Sequence, residues 1–380
     1  ERGNSSGFFG LPKWNSDDIK YTLRIEESIK CLLSLFGAMF DRIKSTPAKI
    51  CLVISALVAI VYSLNFMLFA DCYVTGGEGC FTLGFSNDTS TGMTSYGNGG
   101  PETAFNGVLM FGVFMSTMLI LNEGAKGMWK IMIPVILGFV VMSVTMWAYW
   151  GDLDSSETPK YVAPITTVVY IAAYYLLKAE DEVDDGLSEF RMGLNIEDKP
   201  SLVAMLIVVL MGVWYSFMSI VMPAERIAAF ELGEVSQEML DAGLGAPSEV
   251  TVAVSGSLFL VYTLWTAMVV LDGPKGKWSI LHPGIFFLIT ATISTYMALV
   301  DNVGEITRPV SDQSVIDSLA GPVAMLLVLY AYYRMRDEGV EDGMTGYGAG
   351  IEEMTPNAFN VFVITVTLIV GLVFTANIMM

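Results

Sequence analysis

The sequence predicts an all-α integral membrane protein. About nine transmembrane helices form two parallel four-helix repeats plus a ninth helix, preceded by an interfacial amphipathic helix. Three observations predict this. First, the 380-residue chain is 53% hydrophobic and 16% charged, against about 25% charge in an ordinary soluble domain. Second, apolar runs near or above the ~18 residues of a bilayer span recur along it. Third, one short polar stretch occurs twice, as Glu123-Gly124-Ala125-Lys126-Gly127-Met128-Trp129 and as Asp272-Gly273-Pro274-Lys275-Gly276-Lys277-Trp278. Each copy is a tight turn between two long apolar runs, the connection of a transmembrane hairpin.

Residues 1–46 read as a cytoplasmic arm and an interfacial amphipathic helix. The first 15 are rich in Gly, Ser, Asn and Pro. From about Ser16 to Lys44 the apolar residues Ile25, Ile29, Leu32, Phe36, Met39, Phe40 and Ile43 share one helical stripe, with basic residues around it. Its unbroken apolar part, Cys31 to Phe40, is too short to span, which suits a helix lying in the interface plane. Packing on a neighbouring subunit fits the same pattern.

Thr46-Pro47 begins the first span, because proline at a first helical position gives up an N–H that has no partner anyway. The expected spans are 48–70, 105–121, 129–150 and 161–177, then 201–222, 251–271, 278–300 and 318–333, with a ninth from 356 nearly to Met380. A short amphipathic helix is expected over 225–240.

The duplication is wider than the turns. Offset 149 superimposes Gly107 on Gly256, Pro134 on Pro283 and Trp129 on Trp278. Offset 158 superimposes Pro164 on Pro322 and Tyr174-Tyr175 on Tyr332-Tyr333, while 153 relates Pro47 to Pro200 and Tyr62-Ser63 to Tyr215-Ser216. The drift places small insertions in loops, where they are tolerated. The units are therefore residues 47–199 and 200–355, with the ninth span at 356–380. An even number of spans per unit inserts both the same way up.

Charge orients the plan. The N-terminal arm, both turns and the loops after spans 4 and 8 hold 17 of the 20 Lys and Arg residues. The positive-inside rule then puts that side in the cytoplasm or its equivalent and the C-terminus on the opposite side. The formal charge of −19 excludes nucleic acid as a partner, since a phosphate backbone needs a basic surface.

No Asp, Glu, Lys or Arg lies deep inside an expected span. Intramembrane charges mark ion paths, proton relays and voltage sensors, so their absence argues against those classes. Mid-span hydroxyls such as Ser55, Thr117, Ser143, Thr145 and Thr263 are expected to serve helix–helix hydrogen bonding. The acidic loops around Asp185 and Asp342 lack the alternating carboxylates of a calcium loop and read as solvated helix ends. His282, the one histidine, has no partner for a metal pair or a nucleophile–base arrangement, and reads as an interfacial, hydrogen-bonded residue.

The candidate site residues are Lys126, Trp129, Lys275 and Trp278. Lysine with exposed turn N–H groups suits a lipid phosphate or a partner. The same residues also make a purely structural turn, with Gly for the bend, Lys for the positive side and Trp for the interfacial belt. Cys72 and Cys80, together in the first long loop, are either a disulfide or two free thiols. The leading expectation is a non-catalytic structural or accessory subunit of a membrane assembly, contacting lipids and either other membrane subunits or copies of itself. The alternatives are a channel or facilitator for a neutral solute or lipid between the repeats, and a pigment- or lipid-binding module.

Overall fold

The computed structural model describes residues 42–69, 100–151, 158–180, 182, 184–190, 192–229, 248–300 and 312–343. Their regular structure is all helical, with no strand among them. The long helices are α1 (Thr46–Leu68), α2 (Gly100–Glu123), α3 (Trp129–Tyr149), α4 (Thr158–Glu180) and α5 (Lys199–Val221). After a short α6 (Pro223–Ala229) come α7 (Glu249–Asp272), α8 (Trp278–Val300) and α9 (Asp312–Arg334). The first five long helices and α7 are long and apolar enough to cross a membrane. At 1.5 Å per residue they extend about 32–36 Å, which matches a hydrocarbon core of about 30 Å. The amphipathic arm, the Cys72–Cys80 pair and the ninth span lie outside the described residues.

The helices start where the sequence supplies caps. Ser45 accepts from the Ala48 N–H at 3.2 Å ahead of Pro47, and Asp198 accepts from the Ser201 N–H at 3.0 Å ahead of Pro200. Ser248 does the same for α7 through the Thr251 N–H at 3.3 Å. Each cap satisfies an N–H that the first helical turn leaves open.

Packing centres on α2 and α7. In α2, 83% of the apolar stretch is buried inside the protein and in α7 61%, against 33–50% for α1, α3, α4 and α5. Around α2 and α7 the same neighbours recur. Helix α1 lies on α2 and α4, and α5 lies on α7 and α9. Helix α3 lies on α4 and also on α7, while α8 lies on α9 and also on α2. Helix α3 thus packs on α7 and α8 on α2, so helices early and late in the chain interlock.

Close approach at the α1–α2 and α5–α7 contacts uses glycine. A Cβ on Gly107 would stand 2.6 Å from Met67 Cγ and 2.8 Å from the Ser63 carbonyl oxygen, and one on Gly256 would stand 2.6 Å from Ser219 Cβ. Small residues matter here because lipid is as apolar as leucine, so helix association relies on tight packing.

The middle of the molecule is filled by large side chains. Phe105, Tyr215, Phe259, Tyr262 and Phe287 form ring contacts with centroids 4.6–6.3 Å apart, joining α2, α5, α7 and α8. Trp265 and Leu109 are almost wholly buried beside them. The polar atoms in this core have partners across helices. Tyr262 donates to the Leu109 carbonyl at 2.7 Å, Trp265 Nε1 to the Ile131 carbonyl at 3.3 Å, and Ser255 to Asn106 Oδ1 at 2.6 Å.

The mid-span hydroxyls bond both within their own helices and across to neighbouring ones. Thr117, Thr263, Thr266 and Thr290 each donate to a carbonyl one turn back in their own helix, at 2.8–3.1 Å. A hydroxyl in lipid needs an acceptor, and the i−4 carbonyl is always within reach. Between helices, as expected, Ser143 meets Thr167 at 3.2 Å, Thr145 meets Ser257 at 3.3 Å, Thr117 meets Tyr170 and Thr263 meets Ser216 at 3.5 Å, and Ser63 donates to the Gly107 carbonyl at 2.8 Å.

The twin turns as a candidate functional site

Both turns sit at the same end of the bundle and are built alike. Gly124 and Gly273 end their helices with φ of 92° and 86°, and Gly127 and Gly276 turn the chain back with φ of 67° and 64°. Side chains rarely adopt these angles, so glycine is required there. Gly124 N–H donates to the Ile120 carbonyl at 2.9 Å and Gly273 N–H to the Val269 carbonyl at 3.0 Å. These bonds close the ends of α2 and α7.

Each turn is clasped by the acidic loop that follows the fourth long helix of its half. Gly127 N–H donates to the Asp184 carbonyl at 3.0 Å and Trp129 N–H to the Asp185 carbonyl at 3.3 Å. In the other half Gly276 N–H donates to the Gly339 carbonyl at 2.9 Å and Trp278 N–H to the Val340 carbonyl at 3.1 Å. Of the turn N–H groups expected to be open to a phosphate, those of Gly127, Trp129, Gly276 and Trp278 are therefore already used.

The acidic loops are not merely solvated helix ends. Asp185 is 5% exposed. Its carboxylate accepts from the Tyr174 hydroxyl at 2.6 Å, Lys178 Nζ at 2.8 Å and the Leu187 N–H at 3.2 Å. Burial pushes its carboxyl up, but the bonds from Lys178, Tyr174 and the Leu187 N–H outweigh it and hold the group below the usual carboxylate range. In the second half Glu341 plays this part, accepting from the Tyr332 hydroxyl at 3.1 Å and Arg336 Nε at 3.2 Å. His282 joins that cluster, with Nε2 2.8 Å from the Tyr332 hydroxyl. The hydrogen-bonded reading of His282 holds.

A second contact closes each half. The Ser45 hydroxyl donates to the Glu180 carboxylate at the end of α4. Beside α9, Glu338 accepts the Glu197 and Asp198 N–H groups, both at 2.9 Å, and Arg334 pairs with Asp198. The Arg334 guanidinium and then Ser201 hold the Asp198 carboxyl well below the usual range. The strap ahead of each first helix also reaches its turn, with Arg42 donating to the Glu123 carbonyl at 3.3 Å and Asn195 Nδ2 to the Leu271 carbonyl at 2.7 Å.

The predicted site residues divide. Lys126 and Lys275 are exposed at the turn tips, and Lys275 lies 4.0 Å from the Asp342 carboxylate. Trp129 and Trp278 are each 5% exposed, so they are packed inside the protein and not displayed at an interfacial belt. Phe190 of the clasping loop covers Trp129, stacking edge-on with centroids 5.0 Å apart, while Trp278 lies 5.8 Å from the ring of His282, one turn on in its own helix. Sequence reasoning missed Asp185, Glu341, Lys130 and Lys277. Lys130 Nζ, on α3, donates to the Gly276 carbonyl of the other turn at 2.6 Å, and buried Lys277 pairs with Asp272. A usable signal existed in the recurrence of Tyr174 and Lys178 as Tyr332 and Arg336 at offset 158 ahead of each acidic loop. Among the described residues no three His, Cys, Asp or Glu side chains converge as a metal site. No family model matches the sequence, no curated protein matches it, and no solved structure matches it.

Proposed function

We propose that this chain is a non-catalytic structural or accessory subunit of a membrane assembly, built from two equivalent four-helix units. The observation that carries the reading is the filled seam between the halves, where Phe105, Phe259, Tyr262 and Phe287 occupy the space a solute would need. The outer faces supply what a subunit offers its surroundings. Leu210, Val213 and Trp214 on α5 and Val144 and Trp147 on α3 are half-exposed or more, apolar surface suited to lipid or to neighbouring subunits.

Equivalence of the units is supported by contacts that recur at the sequence offsets. Ser45–Glu180 answers to Asp198–Glu338, at offsets 153 and 158. Asn106 and Ser255 are 149 residues apart, the offset of the turns, and they bond to each other. A residue that meets its own counterpart is what a two-fold axis produces. The plan of nine spans, with turns and N-terminus on the cytoplasmic side, rests on the basic residues at the turn end: Lys126, Lys130, Lys178, Lys275, Lys277, Arg334 and Arg336.

Lys126 and Lys275, exposed at that end, are the groups open to lipid phosphate or a partner. Replacing both with Gln should weaken retention of anionic lipid or of partner subunits on purification in mild detergent. Unchanged retention of both would retire the lysines as contacts. The facilitator reading draws on the polar pair Asn106–Ser255 near the α2–α7 crossing. Solute flux through liposomes carrying the purified chain, abolished by bulky substitution at Ser255, would favour it over the structural role.

A further inference from the structure

Helix α5 is the least covered of the membrane-length helices. Only 33% of its apolar stretch is buried inside the protein, against 39–50% for α1, α3 and α4. Its open side is a stripe of Val203, Ile207, Leu210, Trp214, Phe217 and Val221, every member exposed. Steps of alternately four and three residues keep to one face of a helix, the spacing along which a second helix can lie lengthwise.

Trp214 is out of place on a face that meets only lipid. It is 64% exposed, and its indole N–H has no hydrogen-bond partner among the described residues. Its Cα stands about 10 Å short of the end of α5 at Val221, and the side chain leans back toward the start of the helix, deeper still. Tryptophan that faces lipid is found at the boundary, where headgroups and water supply acceptors. Trp147 shows that arrangement: it lies two residues from the end of α3, and its Nε1 donates to the Lys160 carbonyl at 3.1 Å. Acyl chains offer no acceptor at the depth of Trp214, so lipid leaves the donor uncompensated. The equivalent place on α1, 153 residues earlier, holds Val61, which has no such need.

We propose that this stripe of α5 seats a transmembrane helix of a different subunit, which brings an oxygen acceptor to Trp214 within the hydrocarbon layer. Such a seat presupposes that the chain is a subunit of an assembly, the reading proposed above. The stripe carries no acceptor of its own, so two copies of this chain paired α5 to α5 would leave both indoles open, which favours a different subunit. The acceptor is a side-chain oxygen of Ser, Thr, Asn, Gln or Tyr, or a carbonyl freed at a proline kink. A rigid indole that donates one bond is also the kind of side chain that anchors protein interfaces.

Native mass spectrometry of the assembly, extracted from its own membrane in mild detergent, tests this against Trp214→Phe. Phenylalanine keeps a ring and loses the N–H. The affinity for the partner subunit, read as the fraction retained on dilution, should fall about three- to tenfold, the range of one intramembrane hydrogen bond. Leu210→Ala should also lower it by thinning the contact, and Val61→Ala on α1 should not. The unfolding midpoint of the chain in detergent should be the same in all three variants, since these side chains are exposed. Benzoylphenylalanine in place of Phe217, irradiated in the native membrane, should give an intermolecular adduct on an apolar helix of another subunit, and less of it when Trp214→Phe is added. An intermolecular adduct on this chain's own peptides, or on lipid alone, overturns the proposal. An assembly retained equally by the wild type, Trp214→Phe and Leu210→Ala overturns the α5 seat and leaves the subunit reading standing. A wild-type chain that emerges solitary overturns both.

Discussion

Asp185→Ala is the sharpest perturbation of the clasp. The carboxylate takes three bonds, from Tyr174, Lys178 and the Leu187 N–H. Lys178 is half exposed, with its side chain at 50%, so water replaces its partner and the ion pair contributes about 0–1 kcal/mol. Tyr174 is only 7% exposed, and its stranded hydroxyl costs about 1–3 kcal/mol. The Leu187 bond adds up to about 1 kcal/mol. The variant should lose about 1–5 kcal/mol, and Asp185→Asn, which keeps an acceptor for Tyr174, about half of that. Unfolding in detergent gives the stability change, and hydrogen exchange gives its location. The Gly127 and Trp129 amides, which donate to the Asp184 and Asp185 carbonyls, should lose protection, while those of Gly276 and Trp278 keep theirs. A stability change under about 0.5 kcal/mol, with Gly127 and Trp129 exchanging as in the wild type, would refute the clasp.

Gly107→Ala and Gly256→Ala each force a Cβ to within 2.6 Å of a neighbouring helix and should each cost about 1–3 kcal/mol, read as a fall in unfolding midpoint. Lys130→Met leaves the Gly276 carbonyl without its donor and should cost about 1–3 kcal/mol, with faster amide exchange confined to the second turn. Acid should release both loops. The Asp185 and Asp198 carboxyls are held below their ordinary range when folded. Their contribution is therefore complete above the unfolded value of about 4 and disappears as pH falls through the lower folded values. Amide exchange at Gly127 and Ser201 should be flat from pH 7 to 5 after correction for intrinsic rates, and should rise only below pH 4.

The long helices were legible because a span is set by length and composition alone. Boundaries were expected at 105–121 and found at Gly100–Glu123, and expected at 161–177 and found at Thr158–Glu180. The helices overrun the apolar windows because helical turns with polar residues, such as Glu123 and Lys178, continue past the lipid-soluble part. The turns were legible too, since glycine at positive φ is a local requirement. The clasps were not. Asp185 resembles any solvated acid until the chain brings it back to Tyr174 and Lys178, 11 and 7 residues earlier. The tryptophans were misplaced for the same reason: a belt position and a buried one look alike until Phe190 is folded over Trp129. The crossing of α3 and α8 onto opposite halves left no local trace, since it depends on how whole helices pack.

The measurement that tests the central claim most directly is native mass spectrometry of the chain extracted from its own membrane in mild detergent, paired with solute flux in liposomes carrying the purified chain. A structural subunit should emerge in a discrete stoichiometric assembly, with other membrane subunits or with copies of itself, and should conduct nothing when reconstituted alone. A solitary chain that passes a neutral solute across the bilayer would contradict the account.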